Sequence, residues 1–262
     1  MSFKYQAPTV KKAFQILELL SSSEHGLKIS EVSRALGISK STVHGIAAAL
    51  EDQGAVIRDS RTKRYTPGLT LFELGQRAYA RFDLKDVARP FMERLMATTD
   101  ETVFLGVRNG DHVSILDSVD SSGELKITSP VGTRIPLTAG ATGKAILAAL
   151  PPEEASALVR SIGLHPYTAK TIVDPRRYAA HLAEVCRDGY ALDDEEYMRG
   201  VRAVAAIIHG TGSAMSAIWV VGFTPTMSAS KMRTIAAETR AAAEAIRRRV
   251  EVESDARREA IA

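Results

Sequence analysis

The chain has 262 residues, 45% of them hydrophobic, with 34 Lys+Arg against 31 Asp+Glu and a formal net charge of +3. That balance excludes a largely disordered chain and supplies apolar material for two cores, at roughly 100–200 residues per domain. Its single Cys, Cys186, excludes an intramolecular disulfide and a thiolate zinc site. MSFKYQAPTVKKAF at the start carries no apolar leader, and no apolar run approaches the ~18 residues of a membrane span. A cytoplasmic protein without a membrane segment is expected.

The small net charge is unevenly placed. Residues 1–80 hold 11 Lys+Arg against 7 Asp+Glu, a net of +4, and the rest of the chain holds 23 against 24, a net of −1. Four of the eleven cations fall between Arg58 and Arg64. A basic module joined to a near-neutral one suggests a polyanion-binding head on a second functional body. Charge alone also fits a merely solvated surface.

In chain order, Val10, Ala13, Phe14, Leu17 and Leu20 keep the spacing of an amphipathic helix over Val10–Leu20. A second helix, with Ser30 as its expected N-cap, buries Val32, Ala35 and Leu36 and stops at Gly37, which suits a left-handed C′ position. Gly37-Ile38-Ser39 separates it from a third helix, Lys40–Gln53, with Val43, Ile46, Ala47 and Leu50 on one face. This is helix-turn-helix spacing. The polar start of the third helix reads Ser39-Lys40-Ser41-Thr42, then His44. Short hydroxyls and a cation at a helix N-terminus approach phosphates and base edges closely, as a recognition helix in the major groove must. Taken singly, each of these residues also fits a capped, solvent-facing helix start. Next, Ala55–Arg58 and Arg64–Thr66 read as two short strands around Asp59-Ser60-Arg61-Thr62-Lys63, a basic wing whose tip suits phosphate or the minor groove. Ser39, Lys40, Ser41, Thr42, His44, Arg58, Arg61, Lys63 and Arg64 are therefore the expected DNA contacts.

Pro67-Gly68 closes this domain, 1–68. A linker helix follows over 69–83, with Leu71, Leu74, Ala78 and Phe82 at helical spacing. Asp83–Thr99 carries another apolar stripe, with Pro90 expected to kink it or begin a new helix. Thr102–Arg108 and His112–Val119 around Asn109-Gly110-Asp111 form a hairpin signal, and Leu125–Ser129 continues the strand pattern. Helices are expected at Thr142–Leu150, Pro152–Ile162 and Pro175–Asp188. Strands are expected at Ala191–Asp193, Ala203–His209 and Ala217–Phe223. A last helix, Ser228–Val250, should turn Ala inward and place Arg247-Arg248-Arg249 near its C-terminus. The tail 251–262 is polar and expected to fray. Hairpins with interspersed helices over 84–250 give an α+β class, not a βαβ array.

Gly140-Ala141-Thr142-Gly143-Lys144-Ala145 fails as a phosphate loop, because Thr138 stands where the first Gly is required and Ala145 where Ser/Thr should hold Mg²⁺. It reads as a small-residue helix start, whose free N–H groups either bind a carboxylate or pack under a strand. Asp193-Asp194-Glu195-Glu196 reads as a solvated acidic run, since no His sits at ligand spacing. Cys186, in register with Leu182 and Val185, reads as a buried apolar thiol. No metal or cofactor signature is present. An enzyme using Asp193, Glu196 and His165 lacks a nucleophile-base pair, and a module binding a protein partner leaves the wing cations without a use.

Several blocks in order resemble the IclR (isocitrate lyase regulator) family of bacterial transcription factors over about Val10–Val250. They are AFQILELL, ISEVSRALGISKSTVHGIAAALEDQGAV, RYTPGLTLFELG, VGTRIPLTAGATGKAILAAL, GLHPYTAKTIVDP, GYALDDEEYMRGVRAVAA and the final Ala-rich helix. The resemblance implies a GAF-like effector domain and a homodimer formed through the N-terminal module, often a dimer of dimers (a homotetramer). It also implies a pseudo-palindromic double-stranded DNA operator and a small organic effector. Carried over by residue, the effector pocket would use the amides of Ala141 and Thr142 and the side chain of Asp193. Ala203 stands where many relatives have Cys, and Trp219 and Val221 fall where Ser is common. Trp219 is then either a pocket wall or plain core. The less polar pocket implies an aromatic or cyclic, carboxylate-bearing effector in place of a two- or three-carbon oxo acid.

Overall fold

A computed structural model describes residues 7–79, 84–210 and 215–261, with the side chains of 76–79 and 254–261 outside that description. The chain divides into two compact units, Met1–Phe82 and Asp83–Ala262. The expected helical positions Ala78 and Phe82 lie outside the described side chains and residues.

The first unit contains α1 (Pro8–Ser21), α2 (Ile29–Leu36), α3 (Lys40–Asp52), β1 (Val56–Arg58), β2 (Tyr65–Pro67) and α4 (Leu69–Tyr79). Its core gathers Ile16, Leu20, Val32, Ile38, Val43, Ile46, Ala47, Val56 and Tyr65. The stripe on α1 is narrower than expected. Ala13, Ile16, Leu17 and Leu20 pack inward, whereas Val10 and Phe14 are exposed at 56% and 64%. Both stripes satisfy helical spacing, so periodicity does not choose between them. The N-cap of α2 is Lys28 in place of Ser30. Glu31 reaches back to accept from the Lys28 backbone N–H at 2.7 Å, which satisfies the first turn without a hydroxyl. Gly37 ends α2 at φ 65°, its N–H donating to Ser33 O. Antiparallel β1 and β2 form the wing, with Arg58 opposite Tyr65.

The second unit contains α5 (Leu84–Thr99), β3 (Thr102–Asn109), β4 (His112–Val119), β5 (Arg134–Pro136), α6 (Gly140–Ala148), α7 (Pro152–Ile162) and α8 (Pro175–Asp188). It continues with β6 (Ala191–Asp194), β7 (Val201–Ile208), β8 (Ser216–Phe223) and α9 (Ala229–Ile261). The strands make one antiparallel sheet in the order β5-β4-β3-β8-β7-β6. Period-2 alternation sorts its side chains between two cores. Val103, Leu105, Val204, Ala206, Ile208, Ile218 and Val220 meet α5 and α9, where Met232, Ile235, Ala236, Ala243 and Ile246 form the inner stripe. Phe104, Val113, Ile115, Ala203, Ala205, Ala217 and Trp219 meet α6, α7 and α8 on the other face. This is the α+β arrangement expected, with helices on both faces of an antiparallel sheet.

Three expectations are corrected and one alternative is removed. Leu125–Ser129 is not a strand: the edge of β4 is taken by β5 instead, with Gly132 N–H donating to Ile115 O at 2.8 Å and Leu125 left 79% exposed. Pro130, which lacks an N–H, stands between that segment and the paired residues. Of the two readings of Pro90 the new helix is excluded, since Pro90 lies inside α5. The backbone of α9 continues past the expected helix end at Val250 to Ile261. Arg247, Arg248 and Arg249 are consequently within the helix, pairing at i, i+3 or i, i+4 with Glu244, Glu251 and Glu253. Finally, Cys186 is exposed, and the face of α8 that is buried carries Tyr178 and Leu182.

Candidate DNA-facing surface and effector cavity

On the first unit, Ser39 caps α3, its Oγ accepting from Thr42 N–H at 3.2 Å and lying 2.8 Å from Thr42 Oγ1. Ser41 stands 3.1 Å from the same Oγ. Lys40, Ser41 and His44 are exposed, and Thr42 is half-buried. One helix N-terminus thus presents a cation, hydroxyls and an imidazole. In the wing, Asp59 Oδ1 accepts from Arg61 N–H at 3.0 Å, from Thr62 N–H at 2.5 Å and from Thr62 Oγ1 at 2.8 Å. These hydrogen bonds from Thr62 hold the Asp59 carboxyl below its usual range and leave Arg61 and Lys63 exposed at the tip. Lys63 takes φ 60° to turn the chain. Arg58 lies over the Tyr65 ring at 5.7 Å.

Arg64 is placed differently from the other wing cations. Its guanidinium binds Glu31 through Nη1 at 3.0 Å and Nη2 at 3.3 Å, and donates to Gly26 O at 2.7 Å. It ties the base of the wing to α2.

In the second unit every strand of the sheet contributes to one cavity of about 300 Å³. All six residues singled out from the sequence, Ala141, Thr142, Asp193, Ala203, Trp219 and Val221, line it. Trp219 is 2% exposed and stacks on Phe104, with centroids 5.6 Å apart and planes at 22°. It is both core and cavity wall. The first turn of α6 forms another wall, and its N-cap, Ala139, supplies no side-chain acceptor. The leading amides of α6 therefore receive no cap from the N-cap side chain. Gly143, one turn in, packs so closely on Leu137 that an added Cβ would lie 1.9 Å from the Leu137 carbonyl oxygen.

The acidic run is not solvated as expected. Asp193 is 4% exposed. Its Oδ1 accepts from Glu196 N–H at 2.6 Å, and its Oδ2 lies 2.7 Å from where a Cβ on Gly140 would be. Burial pushes its carboxyl up to about 6, against the opposing effect of that backbone hydrogen bond. Glu196 takes the Nζ of fully buried Lys144 at 2.6 Å. Asp194 pairs with Arg202 and Lys170, and Glu195 with Lys170. Among the described residues no group of three or more His, Cys, Asp or Glu could hold a metal ion. His165 lines a separate groove with His112 and Tyr167, apart from Asp193. Sequence reasoning missed Phe104, Ile115, Tyr197, Met198, Val201 and residues 127–129 and 133–135, which also line the cavity. Alternation within Thr102–Arg108 and His112–Val119 marks Phe104 and Ile115 as sharing a face, but which face requires the sheet order. No helix among the described residues is long and apolar enough to cross a membrane.

Comparison with known proteins agrees with this two-part construction. The family model of the IclR helix-turn-helix domain matches residues 9–60, and that described as bacterial transcriptional regulator IclR C-terminal matches 76–248. The HTH-type transcriptional regulator BhcR of Paracoccus denitrificans is 36% identical over 222 residues, 84% of this chain and 79% of that protein. The IclR transcriptional regulator of Alicyclobacillus acidocaldarius shares the fold with a TM-score of 0.79 at 26% identity, over 94% of this chain and all of that one. An IclR homologue from Microbacterium hydrocarbonoxydans, solved with 4-hydroxybenzoate, gives a TM-score of 0.77 over 93% of this chain and 99% of that one. At 23% identity it is a likeness of fold alone. These relatives are regulators, not enzymes. The chain belongs to the IclR family of bacterial transcriptional regulators, DNA-binding proteins with an effector-binding C-terminal domain.

Proposed function

We propose that the chain reads a pseudo-palindromic operator as a symmetric homodimer or dimer of dimers, and that an aromatic or cyclic carboxylate in the cavity sets its operator affinity. The cavity carries this reading. Its wall is the Trp219–Phe104 stack, its lining includes Ala203 and Val221, and the first turn of α6, whose N-cap side chain offers no acceptor, faces it to receive a polar head. A two- or three-carbon oxo acid would leave most of about 300 Å³ unfilled. That a regulator of the same fold holds 4-hydroxybenzoate is consistent with a ring-sized effector.

On the DNA side, Lys40, Ser41, Thr42 and His44 enter the major groove, with Ser39 shaping the helix start. Arg58, Arg61 and Lys63 lie along the backbone and minor groove. Arg64 acts through wing geometry, given its hold on Glu31. The exposed apolar pairs Val10 and Phe14 on α1, and Leu69 and Phe72 on α4, supply an apolar surface for self-association. Effector binding changes the spacing of two recognition helices, and therefore their fit to half-sites about one DNA turn apart or a multiple of it.

Calorimetric titration of the full chain with benzoate, its ring-substituted analogues, pyruvate and glyoxylate tests the effector class. Binding of at least one aromatic acid well ahead of both oxo acids is expected. Tight pyruvate or glyoxylate binding with none for aromatic acids overturns it.

A further inference from the structure

The base of the wing is clasped to the start of α2 through backbone and side chain together. Leu27 N–H donates to Tyr65 O at 3.0 Å and Tyr65 N–H to Leu27 O at 2.8 Å, an antiparallel bridge between the turn ahead of α2 and β2. Arg64, next to that bridge, is held by three acceptors: Gly26 O at 2.7 Å, Glu31 Oε2 at 3.0 Å and Glu31 Oε1 at 3.3 Å. Glu31 is fixed in turn by its own helix, because Oε2 also accepts the Lys28 N–H at 2.7 Å. That hydrogen bond and the Arg64 guanidinium keep the Glu31 carboxyl below its usual range. The pair is therefore ionised at neutral pH and meets fork to fork, the geometry that holds a guanidinium most firmly.

Arg61 and Lys63, on the same turn, are exposed. Arg64 is instead turned to the protein. A guanidinium free at this place would neutralise a phosphate on any duplex, and such contacts make up non-specific binding. Operator binding also needs the wing held at one fixed height over the groove. Releasing Arg64 would strengthen unrelated complexes in full while loosening the wing in the specific one.

We propose that Glu31 sets the sequence discrimination of the wing, by withholding Arg64 from phosphate and fixing the base of the wing against α2. Glu31 acts through Arg64 and is a positioning residue. This rests on the reading of the wing as a DNA-facing element.

The test is a double-mutant cycle on the full chain: wild type, Glu31→Gln, Arg64→Gln and the double variant, each well below its melting temperature. Fluorescence anisotropy over a salt series measures binding to a fragment selected from genomic DNA and to a duplex of unrelated sequence. Glu31→Gln keeps an amide oxygen for the Lys28 N–H and loses the charged fork. On unrelated DNA it should steepen the log–log salt slope by about 0.9, for one more phosphate neutralised. The ratio of selected to unrelated affinity should fall at least about three-fold. Arg64→Gln alone should leave the slope within about 0.3 of wild type, and Glu31→Gln should add nothing in that background. A slope that flattens by about 0.9 in Arg64→Gln would put Arg64 on phosphate in the wild type and overturn the proposal. Equal steepening by Glu31→Gln with and without Arg64 overturns it too, since Glu31 then acts as a bare charge, and so does no change in Glu31→Gln. Should Arg61→Ala with Lys63→Ala leave the slope unchanged, the DNA-facing reading of the wing falls, and this proposal with it.

Discussion

Asp193 is the residue whose environment departs furthest from what its sequence context indicates. In an acidic run of four, one carboxylate is buried on a cavity wall and another closes on buried Lys144, while the remaining two pair with Lys170 and Arg202. The charged groups facing Asp193 are Glu196, which disfavours its ionised form, and Lys144, which favours it. Burial dominates, so its folded carboxyl at about 6 lies above the ordinary 3.8. The folded state therefore holds this proton more tightly than the unfolded one, and the associated stability, present below about pH 4, is lost as pH rises through about 6. Asp193→Asn carries no such charge. Urea unfolding should show the variant more stable than wild type at pH 8, by up to about 3 kcal/mol at 1.36 kcal/mol per pH unit, and the difference should close by pH 4. A pH-independent difference would contradict this account of Asp193.

At the scale of elements, the helix-turn-helix and the wing were legible because local chemistry decides them. Ser39 caps α3, Gly37 takes the left-handed C′ position, and the Pro152–Ile162 and Pro175–Asp188 helices begin and end where their prolines and glycines indicate. Two of the failures share a cause, which is competition between non-local partners. Leu125–Ser129 has strand composition but loses the edge of β4 to β5, and Arg64 has the composition of a wing-tip cation but is drawn to Glu31, 33 residues away. The cavity was half legible for the same reason: its family-patterned residues were identified, but Phe104 and Ile115 join them only through sheet order. The wing predicts a divided result. Arg61→Ala with Lys63→Ala should lower operator affinity and reduce the magnitude of its log–log salt slope by about 1.8, at ~0.9 for each phosphate that is no longer neutralised. Arg64→Ala should instead lower the melting temperature of the DNA-binding unit. An unchanged salt slope in the double variant would contradict the placement of the wing on DNA. In α6, Lys144→Met takes the cation from the half-buried Glu196 carboxylate and should cost up to about 3 kcal/mol in urea unfolding. A loss under about 1 kcal/mol would contradict the assignment of Lys144 as the structural partner of Glu196.

At the scale of the whole molecule, the +3 of the sequence is a basic DNA-binding unit joined to a near-neutral second unit that holds a mostly apolar cavity. Affinity for DNA and affinity for effector are then two readings of one coupled equilibrium, and any coupling must be reciprocal. The most direct test starts from genomic fragments selected by the purified full-length protein. The affinity for an enriched fragment is measured by fluorescence anisotropy, while the acid that most strongly perturbs Trp219 is titrated. The account predicts an enriched inverted repeat and an operator affinity that changes as the cavity fills. It also predicts that operator DNA shifts the acid's affinity by the same factor. An operator affinity that stays constant while Trp219 reports a saturated cavity would contradict it.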